Sequence, residues 1–246
     1  MTRADWDPDQ YRRFAAERAA PFWDLVSLVR PNGIERLVDL GCGDGKLTGE
    51  AVERLTPKTA LGIDSSPTML EKAEPVQVTG LSFEAGDIAS WTSDHDVDLV
   101  LANASLQWVP DHEAVLRRWT DALAPGGQLA VQVPANGDHA SHIVADEVGQ
   151  LEPFLSAMNG NPPPNPTSVN VLAPEAYASL LNGMGFAEQH VRLQVYPHVL
   201  ASSDDVVEWV RGTNLTRFFR RLPDEMHELF VDAYRDALID RKIGRA

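Results

Sequence analysis

The chain has 246 residues, 43% hydrophobic and 23% charged, proportions ordinary for a soluble globular protein with one substantial core. Its formal net charge of -15 argues against nucleic acid and against an anionic membrane surface as partners, because both call for a basic stripe. A single cysteine, Cys42, excludes an internal disulfide, is too few for a zinc–thiolate cage, and suits a reducing compartment, so no metal is expected.

The polar opening MTRADWDPDQ has no apolar signal core, and no apolar run approaches the roughly 18 residues that span a bilayer. A cytoplasmic protein acting on a small molecule is therefore expected, and a monomer is compatible with everything in the sequence. From Tyr11 to Val29 the apolar spacing predicts an amphipathic helix, which Pro21 is expected to split in two. Pro31-Asn32-Gly33 then punctuates the chain.

Short apolar runs alternate with helical patterns from there. Strands are predicted at Arg36 to Leu40, Ala60 to Asp64, Leu81 to Ala85, Val97 to Ala102 and Gln128 to Val133. Between them come a turn over Gly41 to Gly45 and a helix over Lys46 to Leu55. A second helix is capped by Ser66 with Pro67 at its first position, and a third is capped by Asp111. This alternation predicts an α/β fold whose mostly parallel sheet is covered by helices on both faces.

After Pro134 the pattern changes. A helix near Ser141 to Leu155, the proline-rich loop GNPPPNPTS and a helix from Pro174 to Gly183 are followed by a strand-like stretch from Ala187 to Leu200. Two helical patterns, Asp204 to Gly212 and Pro223 to Arg241, complete the chain. The expected organisation is one domain: a helical segment over 1–31, a cofactor-binding core over 33–138, and sheet completion with helical cover over 139–246.

The chemistry centres on Val38-Asp39-Leu40-Gly41-Cys42-Gly43-Asp44-Gly45, where a strand ends, glycines follow and a helix begins. Glycine lets backbone approach a ligand closely, and the carboxyl edge of the first strand is where doubly wound folds bind nucleotides. A dinucleotide fingerprint needs its third glycine at relative position six, where Lys46 stands, and no Gly-Lys-Ser/Thr makes a phosphate loop. Asp39 before the turn suits a cationic ammonium and would repel a pyrophosphate. Asp64, ending the second strand beside Ser65, can accept two ribose hydroxyls. Asp87 after the third strand can accept an adenine amino group, with Ile88 and Met69 padding the ring.

Four segments, DLGCGDG, GIDSSPTML, AGDIASW and LANASLQWVPDH, resemble the successive motifs of class I S-adenosylmethionine-dependent methyltransferases. ANASLQWVPDH, the opening WDPDQYRRFAAERAAPFWDLV and the later VQVPAN resemble more narrowly the trans-aconitate 2-methyltransferase family. The resemblance implies a Rossmann-like sheet of seven strands and S-adenosylmethionine as cofactor. It places Gly41, Gly43 and Gly45, with Cys42 among them, along the methionine part, and Asn103, Ala104 and Ser105 beside the reactive methyl. It implies a small tricarboxylate as acceptor, methylated on a carboxylate oxygen to a monomethyl ester.

A carboxylate acceptor is already ionised at neutral pH, so no general base is required. A trianion does need cations and donors. Arg18 on the first helix is one candidate, because a guanidinium grips a carboxylate at two points. Tyr11 and Phe14, two turns and one turn earlier, are expected to close over the cofactor. Gln107 and Trp108 follow the fourth strand, where the amide would orient the acceptor and the indole exclude water. Tyr196 and His198 lie in the strand-like stretch within reach of a pocket, and Arg217 is the cation of GTNLTRFFRR. The family tends to place an arginine directly after this leucine, whereas here Thr216 intervenes. It also tends to end on an apolar edge strand; here either the sequence is shortened or Tyr196 to Leu200 does that job. Competing readings are a methyltransferase with another small acceptor and a cofactor-binding module without catalysis; a nicotinamide-dependent dehydrogenase fails on the glycine spacing.

Overall fold

A computed structural model describes residues 15–200 and 202–241, leaving out the side chains of residues 15–18 and 203. Helix α1 (Ala15–Ser27) leads into β1 (Arg36–Leu40), α2 (Lys46–Leu55), β2 (Thr59–Asp64), α3 (Pro67–Ala73), β3 (Leu81–Ala85) and β4 (Val97–Asn103). A 3-10 turn at Leu106–Trp108 precedes α4 (His112–Asp121) and β5 (Leu123–Gln132). Then follow α5 (Ala140–Gly149), α6 (Phe154–Ala157), α7 (Pro166–Asn170), α8 (Pro174–Gly183), α9 (Ser203–Arg211), α10 (Thr216–Phe219) and α11 (His227–Asp240).

All strand pairs are parallel, in the order β3-β2-β1-β4-β5. Parallel strands need crossover helices, and these bury both faces of the sheet. Leu37 of β1 with Leu99 and Leu101 of β4 packs against Phe22, Val26, Ala51 and Val52. Val38 and Leu40, with Val100 and Ala102, pack on the opposite side against Leu106, Val115 and Trp119. The strand order reverses between β1 and β4, so a crevice is expected at the carboxyl ends of those two strands.

The chain divides into two compact units. One comprises residues 19–134 and 170–195 and holds the sheet; the other is built from 135–169 and the described residues up to 18 and from 196 onward. The second unit is helical, and its core includes Val144, Val148, Phe154, Phe218, Phe230 and Tyr234.

Three expectations need correction. Helix α1 runs through Pro21 without a break. The sheet has five strands among the described residues, not seven. The stretch from 187 to 200 forms no strand: it has no ladder partner, and Leu193, Val195 and Val199 are largely exposed. Alternating apolar residues make a strand only where a sheet edge receives them, and Pro197 contributes no backbone donor. Tyr196 to Leu200 therefore supplies no edge strand. Strand β5 also starts earlier than predicted, with Ala124 to Gly127 absorbed as an irregularity in its pairing with β4.

Candidate cofactor site at the β1–β4 switch point

The first unit's glycine turn is fixed from below by backbone bonds. Gly41 N–H and Cys42 N–H both donate to the Ile63 carbonyl, at 2.7 and 3.0 Å. Gly41, Gly43 and Gly45 all have positive φ. Two of them are forced by packing as well. A Cβ on Gly41 would sit 2.3 Å from the Ser105 Cβ, and one on Gly45 2.5 Å from the Phe83 ring. Gly43 differs: a Cβ there meets nothing within 4 Å. Its face is open, as a ligand-cradling backbone requires.

Asp64 ties this turn to the end of β2. One carboxylate oxygen accepts Gly43 N–H at 2.9 Å and the other accepts Ser66 N–H at 2.8 Å. A carboxylate oxygen has two lone-pair sites, so each still has one to offer. Ser65 beside it is exposed. Ser66 caps α3, its hydroxyl accepting Met69 N–H. Asp64 pairs with Ala85 across β2 and β3, which brings Asp87 to the same rim. Asp87 is exposed and accepts Ala89 N–H at 2.9 Å through one oxygen, leaving the other free of that turn. Ile88 is buried, and Met69 is half-buried.

Asp39 is placed differently from expectation. It is buried beneath the turn and accepts the Thr48 hydroxyl at 2.6 Å. Burial raises its carboxyl to about 7, against the Thr48 bond, with the Asp64 charge adding to the rise. Thr48 lies on the buried stripe Thr48, Ala51, Val52, Leu55 of α2. A lone hydroxyl on an otherwise apolar helix face needs a partner, and Asp39 supplies it. The Cys42 thiol is buried under the same turn, and burial, Asp39 and Asp64 all push it up and out of the reactive range.

At the end of β4 the backbone turns sharply, with Ala104 at φ 50. Ser105 donates to the Leu40 carbonyl at 2.6 Å, closing β4 against β1. Gln107 donates from Nε2 to the Ala104 carbonyl at 2.7 Å. That bond fixes the amide and leaves Gln107 Oε1 buried without a partner; Asn103 Oδ1 is likewise buried and bare. Two bare acceptors after one strand call for a donor or a cation, not for a carboxylate. Trp108 is 48% exposed, so its ring is free to cover whatever lies beside the turn.

His112 was legible in the sequence only as part of a helix start. In the structure it is buried, with Nε2 2.9 Å from the Leu106 carbonyl and Nδ1 2.6 Å from the Tyr177 hydroxyl. Nothing local to either residue signals this pairing, which spans 65 positions.

Six further candidates complete the set, Tyr11 and Phe14 for the cofactor and Arg18, Tyr196, His198 and Arg217 for the acceptor. Tyr11 and Phe14 lie outside the described residues, as does the side chain of Arg18. Tyr196 is half-buried in the second unit, where His198 stacks on Trp209 with ring centroids 4.8 Å apart. Arg217 is 7% exposed in that unit and is already engaged. It pairs with Asp146 and donates to the Asn214 side chain and the Pro163 carbonyl. Its charge is neutralised within its own unit, so it is not an open anion site. Among the described residues no cluster of His, Cys, Asp or Glu could hold a metal ion, and no helix is long and apolar enough to cross a membrane.

Comparisons with known proteins identify the family. Residues 33–161 match the family model described as a methyltransferase domain. The chain is 41% identical over 241 residues to a trans-aconitate 2-methyltransferase of Deinococcus radiodurans, covering 95% of this chain and 90% of that one. It is 39% identical to one from Streptomyces coelicolor, covering 96% and 80% of the two chains. Two solved structures support the fold. A methyltransferase from Thermotoga maritima aligns with TM-score 0.50 at 22% identity, over 73% of this chain and 77% of that one. A chain of the complex between the Haloferax volcanii Trm112 methyltransferase activator and a methyltransferase aligns with TM-score 0.56 at 18% identity, over 94% and 90%.

Proposed function

Because this chain belongs to the S-adenosylmethionine-dependent methyltransferases, we propose that it esterifies a carboxylate oxygen of trans-aconitate to give the monomethyl ester. The observation that carries the substrate assignment is the similarity to relatives bearing that name, which runs over nearly the whole of this chain. The residues at the switch point suit the cofactor. Gly43 leaves room for it, Asp64 has acceptor capacity for ribose hydroxyls, and Asn103 and Gln107 offer bare acceptors to its cationic amino-acid end. In this reading the bare Gln107 carbonyl oxygen faces the cofactor's ammonium and not the acceptor, because it would repel a carboxylate.

The bound cofactor supplies an electrophilic methyl on a sulfonium. The protein's part is to hold the acceptor oxygen in line with that methyl and to exclude water. Positive and negative charge vanish together as the new bond forms, so a dry site favours the transition state over the separated ions. Trp108 covers the site. The acceptor's carboxylates call for a planar cationic fork, the part for which the sequence offers Arg18. No residue is needed to remove a proton, because the acceptor oxygen is already anionic at neutral pH.

The test is turnover with isotopically labelled cofactor against a panel of small di- and tricarboxylates, with esters identified by mass. Labelled trans-aconitate monomethyl ester as the dominant product is the expected result. Turnover of other acceptors only would move the enzyme to another substrate. Cofactor binding with no turnover of any acceptor would leave a binding module.

A further inference from the structure

The 3-10 turn at Leu106–Trp108 is held by more than its own chain neighbours. A carbonyl oxygen only accepts, so the proton on His112 must sit on Nε2, donated to Leu106 O at 2.9 Å. Nδ1 is then the acceptor and takes the Tyr177 hydroxyl proton at 2.6 Å. The hydroxyl oxygen in turn accepts Leu172 N–H at 3.2 Å. The wire therefore has one direction: Leu172 N–H to Tyr177, Tyr177 to His112, His112 to Leu106. Burial disfavours the imidazolium and the phenolate alike, which keeps both groups neutral. One residue further on, the Asn170 side-chain amide donates to the Gln107 carbonyl at 2.9 Å.

We propose that Tyr177, His112 and Asn170 are positioning residues for methyl transfer, acting as a two-point latch on the turn that carries Gln107 and Trp108. The latch does not touch the reacting atoms. It acts through Leu106 and Gln107, whose carbonyls it grips, and so sets where the bare Gln107 Oε1 points. The Leu106 carbonyl sets the imidazole tautomer, and the Tyr177 hydroxyl, by donating to the Nδ1 left bare, holds the ring in the orientation that keeps Nε2–H on Leu106. The segment that supplies the latch, 170–177, belongs to the same unit as the turn it holds. This inference rests on the reading that the turn borders the transfer site.

The test uses the full chain. Long-range nitrogen–proton correlation reads the His112 tautomer, a 5-fluorotryptophan label at Trp108 reads the turn, and calorimetry with S-adenosylmethionine reads the site. Wild type is expected to show Nε2 protonated. Tyr177→Phe and Asn170→Ala are each expected to weaken cofactor binding about threefold to tenfold, the effect of one lost hydrogen bond, and to shift the fluorine signal. Glutamine has an amide to donate to Leu106 O but no ring nitrogen for Tyr177 to hold, so in a His112→Gln background Tyr177→Phe is expected to have no further effect. A wild-type His112 protonated on Nδ1, unchanged binding in Tyr177→Phe, or a Tyr177 effect that persists in His112→Gln would each overturn the latch. If the wild type binds cofactor but leaves trans-aconitate unmethylated, the substrate assignment fails, while tautomer, fluorine shift and affinity still decide the latch.

Discussion

The Asp64 carboxylate accepts the Gly43 amide at 2.9 Å, so the acid that ends β2 also shapes the glycine turn that follows β1. One side chain thus serves the fold and the site at once. Asp64→Ala is expected to weaken cofactor binding by about 1–3 kcal/mol, because hydrogen bonds to ribose are lost and the Gly43 backbone loses its anchor. Asp64→Asn retains one acceptor oxygen and should lie between alanine and wild type. Calorimetric affinities in the order wild type, asparagine, alanine would support this; equal affinities for all three would remove Asp64 from the site.

Gly41 and Gly43 are separated by one residue and fail for different reasons. Alanine at Gly43 meets no atom within 4 Å and pays only for its left-handed backbone, about 1 kcal/mol. Alanine at Gly41 meets Ser105 Cβ at 2.3 Å and would drive Ser105 off the Leu40 carbonyl. Overpacking of that kind adds about 1–3 kcal/mol to the same backbone cost. Gly43→Ala should therefore keep nearly its full urea midpoint and lose cofactor binding, while Gly41→Ala should lose the midpoint first. A reversed order would mean that ligand space lies over Gly41 instead.

The contrast also explains what the sequence could convey. The first four strands, the turn and the two caps Ser66 and Asp111 are local, written in glycine, proline and side-chain oxygens within a few residues, and the structure has them in place to within a residue. Asp64 was legible for the same reason. The direction in which Asp39 faces was not, because it depends on Thr48 crossing from another element. The Tyr177–His112 pair and the Arg217–Asp146 pair are longer-range still, and no periodicity encodes them. The stretch 187–200 misled because strand patterning states only that a segment could pair; a partner edge has to be supplied by tertiary structure.

Asp39 should leave a mark on the pH dependence of stability. Its carboxyl is raised from 3.8 to about 7, chiefly by burial. Between those values the folded protein holds a proton that the unfolded chain releases. Stability from this group is therefore lost as pH rises from about 4 to about 7 and is constant beyond, a drop on the order of 4 kcal/mol at most. Asp39→Asn still accepts the Thr48 hydroxyl but never ionises. It should match wild type in urea denaturation near pH 4 and exceed it at pH 8. A variant less stable than wild type at pH 8 would show that the ionised carboxylate is held by a favourable partner.

Arg217 separates a structural role from a substrate role by the same pair of measurements. Its guanidinium is buried and gives its donors to Asp146, Asn214 and Pro163, and it stacks on Phe218 at 4.2 Å. Arg217→Ala leaves Asp146 without its counter-ion and the Pro163 carbonyl without that donor. Because the Asp146 side chain is 43% exposed, water can replace part of what is lost, and the cost is put at about 2–4 kcal/mol, toward the lower part of what breaking a buried pair costs. The urea midpoint should fall while the KM for trans-aconitate, measured well below the melting transition, stays within about twofold of wild type. Removing Asp146 as well, in Asp146→Asn with Arg217→Met, should recover part of the lost stability, since no charge is then left unpaired. A tenfold rise in KM with an unchanged midpoint would instead mean that the arginine leaves Asp146 to meet the acceptor, and would restore it as a substrate cation.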